Sequence, residues 1–377
     1  MRDAVIVDAV RAPIGRRRGA LSGIHPAELS AHVLEALVER TGIDPSVIDD
    51  VVWGCVSQTS EQAGNVARTA VLAAGWPESV PGTTVNRACG SSQQALAMAA
   101  AAVISGQQDV VVAGGVESMS RVPMGSAAPN GENQPATVLD RYGVDRFSQG
   151  VGAEMMAEKW ALSRTALDEF SLRSHELAAT AADNGAFDGQ LAPLTGVLEG
   201  DEGIRRGGTV ESMSTLKPAF KEDGVIHAGN ASQISDGSGA LLVMGSDTAK
   251  ELGLSPIARV HTSVVAGDDP VIMLTGPIAA TAKALKRSGL SIDDIGAFEI
   301  NEAFAPVPLA WQIETGADPA RINPLGGAIA VGHPLGGSGA ILMTRLIHHM
   351  RDNGIRYGLQ SMCEAGGMAN ATIVELV

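Results

Sequence analysis

Asp49-Asp50-Val51-Val52-Trp53-Gly54 and Asp293-Asp294-Ile295-Gly296-Ala297-Phe298 open two runs of one pattern. Each is a short apolar stretch behind paired aspartates, the mark of a buried strand entered from a turn. Forty positions beyond each first aspartate stands a reactive side chain, Cys89 in one run and His333 in the other. Both occupy Gly/Ser-rich turns: Cys89-Gly90-Ser91-Ser92-Gln93 and His333-Pro334-Leu335-Gly336-Gly337-Ser338-Gly339. An apolar helical run and then a strand follow each turn. Equal spacing of like parts predicts two copies of one α/β unit. Pseudo-symmetric packing of the copies brings equivalent turns to one cleft, so a Cys and a His converge there from opposite halves.

The rest of the chain fits this division. Residues 5–7, 51–53, 83–85, 110–113, 298–300 and 371–376 read as strands, and 27–40, 92–105, 167–184, 277–288 and 338–350 as helices. Their alternation predicts an α/β protein with buried sheets. From about residue 117 to 245 the pattern is less regular. It contains a turn-rich loop at 126–135, helical stretches, and a segment rich in Gly and Asp. This part reads as an excursion from the core. The expected division is therefore 1–118 with 246–255 as an N-terminal core half, 119–245 as an inserted loop domain, and 256–377 as a C-terminal core half.

Composition narrows the function classes. The 377 residues are 45% hydrophobic and 18% charged, which suits a folded globular chain. The apolar stretch at 95–104 is too short to span a bilayer. A net charge of −15 argues against nucleic acid as a partner. Arg205, Arg206, Lys217 and Lys221 remain a local basic group, either a solvated face or an anion contact. The amino terminus enters a strand signal with no charged and long apolar leader, so a cytoplasmic protein is expected. The three cysteines (Cys55, Cys89 and Cys363) do not make a disulfide scaffold. No His or Cys pair has metal-ligand spacing, and no metal is expected.

Four residues carry candidate chemistry. Cys89 lies between a strand and a helix, where free helix N–H groups favour a thiolate and lower a thiol from about 8.5. The turn has the physics of a hydrolase nucleophile elbow. Alone, it reads equally as an inert Cys in a tight turn. His333 is framed by Gly332 and Pro334, which fix its backbone and expose its ring. Asn301, in Asn301-Glu302-Ala303-Phe304, and Cys363, in Cys363-Glu364-Ala365-Gly366-Gly367, each stand just past a strand. Ligands bind at the carboxyl ends of such strands.

Together with Gly114-Gly115-Val116-Glu117-Ser118-Met119-Ser120 and Ala228-Gly229-Asn230-Ala231-Ser232, these motifs resemble the thiolases, in order and spacing, over essentially the whole chain. The resemblance implies a duplicated five-layer α-β-α-β-α fold, with the excursion covering a coenzyme A site. It implies an acyltransferase that cleaves 3-ketoacyl-CoA to acetyl-CoA and a shortened acyl-CoA, or runs the reverse condensation, with coenzyme A as substrate and no permanent cofactor. Cys89 then attacks a thioester carbonyl and becomes acylated, while His333 takes the thiol proton. Cys363 exchanges a proton with the acetyl-CoA carbon. His333 and a water held by Asn301 form one oxyanion hole, and the backbone N–H groups of Cys89 and Ala365 form the other. Ser232 maps to the pantetheine and Arg205 (or its neighbour Arg206) to the nucleotide phosphates. Phe220, Phe304 and Met273 line the tunnel. A homodimer or homotetramer is implied, with tetramer contacts in the loop at 121–146.

Two departures matter. Ala365 stands where the family pattern has Gly, which restricts φ in that turn. No His stands near Gly150, where biosynthetic members often carry one. Met273-Leu274-Thr275-Gly276-Pro277 looks like the degradative branch. The second reactive cysteine argues against the related condensing enzymes and a cysteine protease. Asn301 argues against the sterol-carrier branch. Retention of Cys89, His333 and Cys363 argues against a non-catalytic acyl-CoA binder.

Overall fold

The computed structural model describes residues 2–130 and 133–377. Gly131 and Glu132, within the turn-rich loop expected at 126–135, lie outside the described residues. The N-terminal part runs β1 (Val5–Arg11), β2 (Gly15–Arg16), α1 (Pro26–Thr41), β3 (Asp50–Gly54), α2 (Val66–Ala73), β4 (Thr83–Val85), α3 (Ser91–Ser105) and β5 (Val110–Ser118). The excursion holds α4 (Ala136–Tyr142), α5 (Gln149–Lys159), α6 (Arg164–Asp183) and α7 (Val210–Ser214). There follow β6 (Ser235–Met244), α8 (Ser246–Glu251), β7 (Ala258–Gly267), α9 (Gly276–Ser288), β8 (Ala297–Ile300) and α10 (Pro306–Thr315). The chain ends with α11 (Ala328–Val331), α12 (Ser338–Asn353), β9 (Tyr357–Glu364) and β10 (Met368–Leu376).

The strands run β4-β3-β5-β6-β1-β7-β10-β9-β8, with β2 paired to β6. Only two residue pairs, Val5 with Arg259 and Ile6 with Ala258, join β1 to β7. The sheet is therefore two half-sheets meeting at one short seam. In the first half β3 is parallel to β5, β5 antiparallel to β6, and β6 antiparallel to β1. In the second, β8 is parallel to β9, β9 antiparallel to β10, and β10 antiparallel to β7. Four strands repeat in order and direction, which is the duplication expected from the spacing of forty; beyond β8 the place of β4 is held by a single parallel bridge, Phe298 with Ile322.

Helices α3 and α12 are the crossovers of the two halves, and both lie between the half-sheets. Helix α3 packs on β3, β5, β6 and β10, α12 on β1, β6, β8 and β9, and the two touch each other. Ala95, Leu96, Ala99 and Val103 meet Ala340, Met343, Leu346 and Ile347 in one buried cluster. Helix α3 carries no charged residue because sheets cover it on two sides. Helices α1 and α2 cover the outer face of the first half-sheet, and α9 covers that of the second. The result is five layers. No helix among the described residues is long and apolar enough to cross a membrane.

The excursion ends sooner than the sequence suggests. Residues 235–244, assigned above to the inserted loop domain, form β6, buried along its whole length between β5 and β1. Its glycines are there for fit rather than for turning. A Cβ on Gly237 would stand 2.8 Å from Pro334 Cγ, and one on Gly239 would stand 3.2 Å from Ile341 Cγ1.

A buried ionic knot fastens the excursion to the core. The Arg11 guanidinium of β1 binds Asp201 at 2.7 and 3.0 Å, and its Nε donates to Gln190 Oε1 at 2.7 Å. Burial would push the Asp201 carboxyl up, but Arg11 and the Ile14 N–H together hold it below the usual range. The Phe187 ring lies under both Arg11 and Arg345 of α12. Asp201→Ala leaves Arg11 buried without its carboxylate. Such a break costs about 3–5 kcal/mol. Urea unfolding should show that loss, against an unchanged far-ultraviolet spectrum of the native chain.

Candidate active site

The Cys89 turn is built by short-range hydrogen bonds. Asn86 Oδ1 accepts from the Ala88 N–H at 2.9 Å, and Ser91 Oγ accepts from the Arg87 N–H at 2.9 Å. Ala88 is forced to φ 44°, a left-handed conformation that residues with a Cβ rarely adopt. Strain of this kind marks sites held by their surroundings. Cys89 follows with its side chain 4% exposed, and Gly90 caps α3.

The His333 turn is built against it from the other half. Ser92 Oγ, in the first turn of α3, accepts from the Ala340 N–H in the first turn of α12 at 2.9 Å. A Cβ on Gly115 of β5 would overlap the Gly336 carbonyl, so the His333 turn reaches backbone contact with β5 only because that position is Gly. Glu117, at the end of β5, clamps both sides. It accepts from the N–H groups of Val56, Ser57 and Gly336 and from Gln62 Nε2, at 2.8–3.0 Å.

His333 is 3% exposed, and its ring is oriented at both nitrogens. Nδ1 lies 2.6 Å from Ser338 Oγ. Ser338 donates its single proton to Pro334 O at 2.9 Å, so Nδ1 carries the ring proton and Nε2 is a bare acceptor. Nε2 faces Asn301 Nδ2 at 3.4 Å. Burial pushes the imidazole down to about 4, which keeps it neutral across ordinary pH. The Asn301 side chain also offsets a small part of the rise that burial imposes on the Cys363 thiol. Its Oδ1 is buried without a protein partner.

The two thiols do not behave as the helix terminus alone suggests. Burial, helped by the Glu364 and Glu117 carboxylates, pushes Cys89 up to about 12. Its own backbone N–H, aimed at the sulfur, offsets only part of this. The expected lowering of the thiol below 8.5 is therefore corrected: desolvation outweighs the helix N-terminus. Cys363, 1% exposed, is driven far above the usual thiol range by burial and by Cys89 itself. That influence of one thiol on the other places the two sulfurs in one electrostatic environment. Cys55, also buried, stands at the end of β3 and takes no part.

Ala365 does not strain its turn. Its φ is not positive; Gly366 (87°) and Gly367 (73°) make the reversal into β10. The Ala at this position therefore costs no left-handed strain.

Of the residues expected around a tunnel, Phe220 and Phe304 form an edge-to-face pair 5.9 Å apart. Phe304, Met273 and Cys363 share one buried cluster. Met273 holds φ 60°. The Ser232 N–H donates to Ala303 O at 3.0 Å, tying the motif at 228–232 to the one at 301–304. Buried Asn230 and His227 both bind Asp168 and anchor that loop, so His227 is structural. A cavity of about 530 Å³ opens beside Gly229, lined by His175, Arg205, Arg206, Ser212 and Leu216. Arg206 is tied to Asp183 at 2.6 and 2.7 Å, whereas the Arg205 guanidinium has no ion pair among the described residues.

The matches with known proteins agree with this geometry. The thiolase N-terminal domain profile matches residues 4–247 and the C-terminal domain profile matches residues 254–376. The chain belongs to the thiolase family. This thiolase is 50% identical to a steroid 3-ketoacyl-CoA thiolase of Mycobacterium tuberculosis, covering all of this chain and 94% of the relative. It is 44% identical to a 3-ketoacyl-CoA thiolase of Photobacterium profundum, with both chains covered completely. Its fold superposes on the crystal structure of a Bacillus anthracis acetyl-CoA acetyltransferase with a TM-score of 0.92 at 40% identity, covering 100% and 99% of the two chains.

Ser338 and Glu117 stand inside the quoted motifs, but the motifs gave them no role: Ser338 orients the His333 ring and Glu117 braces the turn. Ser338→Ala frees the His333 ring at Nδ1. The thiolase should lose roughly tenfold or more in kcat/KM, equal to about 1.4 kcal/mol of barrier. Its urea midpoint should shift by no more than about 1 kcal/mol allows. Steady-state kinetics beside unfolding checks both.

Proposed function

We propose that this thiolase cleaves 3-ketoacyl-CoA by thiolysis, through an acyl group carried on Cys89. One observation supports the reading: the Cys89 and His333 turns, from opposite halves, are tied through the Ala340 N–H to Ser92 Oγ hydrogen bond, while Glu364, next to Cys363, presses on the Cys89 turn. Cys89 gives its proton to His333 Nε2 as its sulfur attacks the 3-keto carbonyl. The C2–C3 bond breaks, leaving acyl-Cys89 and the enolate of acetyl-CoA. Cys363 protonates that enolate. Coenzyme A then attacks the acyl thioester, its thiol proton restoring Cys363, and Cys89 takes back its proton from His333 as the shortened acyl-CoA leaves. Splitting the reaction in two lowers each barrier.

The elevated thiol supports this order of events. A thiol at about 12 beside an imidazole at about 4 rests as a neutral pair. Proton transfer is favourable only when an acceptor carbonyl is in place, so the resting sulfur is protected from stray electrophiles. The acyl oxygen takes the N–H groups of Cys89 and Ala365. The enolate oxygen takes His333 and a water on Asn301 Oδ1, whose lone pairs have no protein partner. Each such donor is worth about 3 kcal/mol of barrier.

Ser232, Phe220, Phe304 and Met273 flank the pantetheine, and Arg205, not the neutralised Arg206, meets the phosphates at the 530 Å³ cavity. The excursion, taken as residues 119–234, covers this arm. The degradative reading follows the names of the relatives at 44–50% identity and the absence of His around Gly150. Strand β4, three residues at an open sheet edge, suits pairing with a second copy in a cytoplasmic homo-oligomer.

Thiolysis rates across 3-ketoacyl-CoA chain lengths test the proposal, with Cys89→Ala alongside. Turnover beyond acetoacetyl-CoA is expected, and a loss on the order of 10⁴-fold or more in the variant. Full activity of Cys89→Ala ends the nucleophile assignment. Turnover of acetoacetyl-CoA alone moves the enzyme to the biosynthetic branch.

A further inference from the structure

Glu364 ends β9 and directly follows Cys363. Its side chain is fully buried, yet neither carboxyl oxygen has a hydrogen-bond partner among the described residues. The nearest cation is Arg87 Nη1, 4.0 Å from Oε2, on a side chain 30% exposed. The carboxyl is pressed on the nucleophile's own turn: a Cβ on Gly90 would overlap Glu364 Oε1. Beside it, Asn370 Nδ2 donates to Gly90 O at 3.1 Å, while Asn370 Oδ1 and Arg87 Nε are also buried without partners.

A carboxyl buried unpaired costs stability. The fold does not ask for one here, because Gly366 and Gly367 make the turn and the β9–β10 ladder is a backbone affair. Its location, one residue from Cys363 and against the residue after Cys89, is a catalytic one.

We propose that Glu364 is a positioning residue for thiolysis, a buried carboxyl behind Cys89 whose charge state governs how readily Cys89 yields its proton. The inference rests on Cys89 being the nucleophile. Four other groups belong to this centre. Glu117 of β5 acts on the Cys89 sulfur, and Cys363 of β9 feels that sulfur in turn; Arg87, in the same turn as Cys89, meets Glu364, and His333 heads the turn that the Ala340 N–H to Ser92 Oγ bond ties to the start of α3. Burial pushes Glu364 up to about 8, and Arg87 alone pulls it back. Below that pH the carboxyl is neutral and leaves the sulfur free to ionise. Above it, the new negative charge opposes a second one on Cys89. The thiolate therefore gains less with rising pH than an isolated thiol does. His333 titrates far below this window and Cys363 above it.

The test is the pH dependence of Cys89 alkylation by iodoacetamide, read on the Cys89 peptide by mass spectrometry. Glu364→Gln keeps the shape and removes the charge. Its rate–pH curve should move on the order of one pH unit lower, so that alkylation at pH 9 runs roughly tenfold faster than in the wild type. Glu364→Asp keeps the charge and should follow the wild-type curve. The reverse ranking, with Gln matching wild type and Asp displaced, assigns Glu364 to shape alone and overturns the proposal. Where Glu364→Gln does not fold, the wild type decides. Its log rate should bend to a shallower slope around pH 8, and a uniform unit slope overturns the proposal. Thiolysis is followed in the same samples. Activity that survives complete alkylation of Cys89 defeats the nucleophile reading itself, a failure distinct from an unmoved curve.

Discussion

The hydrogen bond from the Ala340 N–H to Ser92 Oγ is the constraint on which the molecule turns. It closes the gap between the first turns of two central helices that belong to different halves. Each helix is preceded by a turn that presents one reactive group. Holding the helix starts together therefore holds Cys89 and His333 together. The contact tolerates almost no bulk, as Gly54, Gly115, Gly336 and Gly339 show by the overlaps a Cβ would create. Glu117 and the Gln93–Gln360 pair brace the same junction from either side.

This junction also explains why the site is dry. Bringing helices and half-sheets to backbone contact leaves no room for bulk water, so the imidazole, the two thiols and the Glu364 carboxyl are shifted toward their neutral forms. The imidazole falls, the thiols and the Glu364 carboxyl rise, and the ground state holds few charges. Helix N-termini do not reverse that trend at rest. Their value lies in donors already aimed where charge develops during reaction. The buried knot of Arg11, Asp201 and Arg345 uses the opposite solution, charges that cancel one another, and serves to anchor the excursion over the core.

Much of this was legible in the sequence, and the limits have physical causes. The repeat of forty located both candidate turns because each half uses one strand–turn–helix unit of the same length. Strand β6 was misread because Gly237 and Gly239 look like loop residues until Pro334 and Ile341 are seen pressing on them. A strand was expected just before Cys363, but its extent from Tyr357 through Glu364 was not, because Gln360 and Ser361 are polar. Their partners, Gln93, Gly339 and Asn370, satisfy them only after folding. Ser338 left a local trace, a hydroxyl five residues after His333. Glu117 left none that its spacing could reveal, since its partners lie some 60 and 219 positions away. The elevated thiols were invisible because burial of a turn depends on what the other half brings to it.

The most direct test of convergence between the halves is a crystal structure of the protein soaked with acetyl-CoA. The account predicts an acetyl group on Cys89 Sγ with its oxygen at the N–H groups of Cys89 and Ala365, and with His333 Nε2 and the Cys363 sulfur both against the acetylated side chain. An acetyl group on another residue, or Cys363 and His333 turned away from an acetylated Cys89, would contradict it.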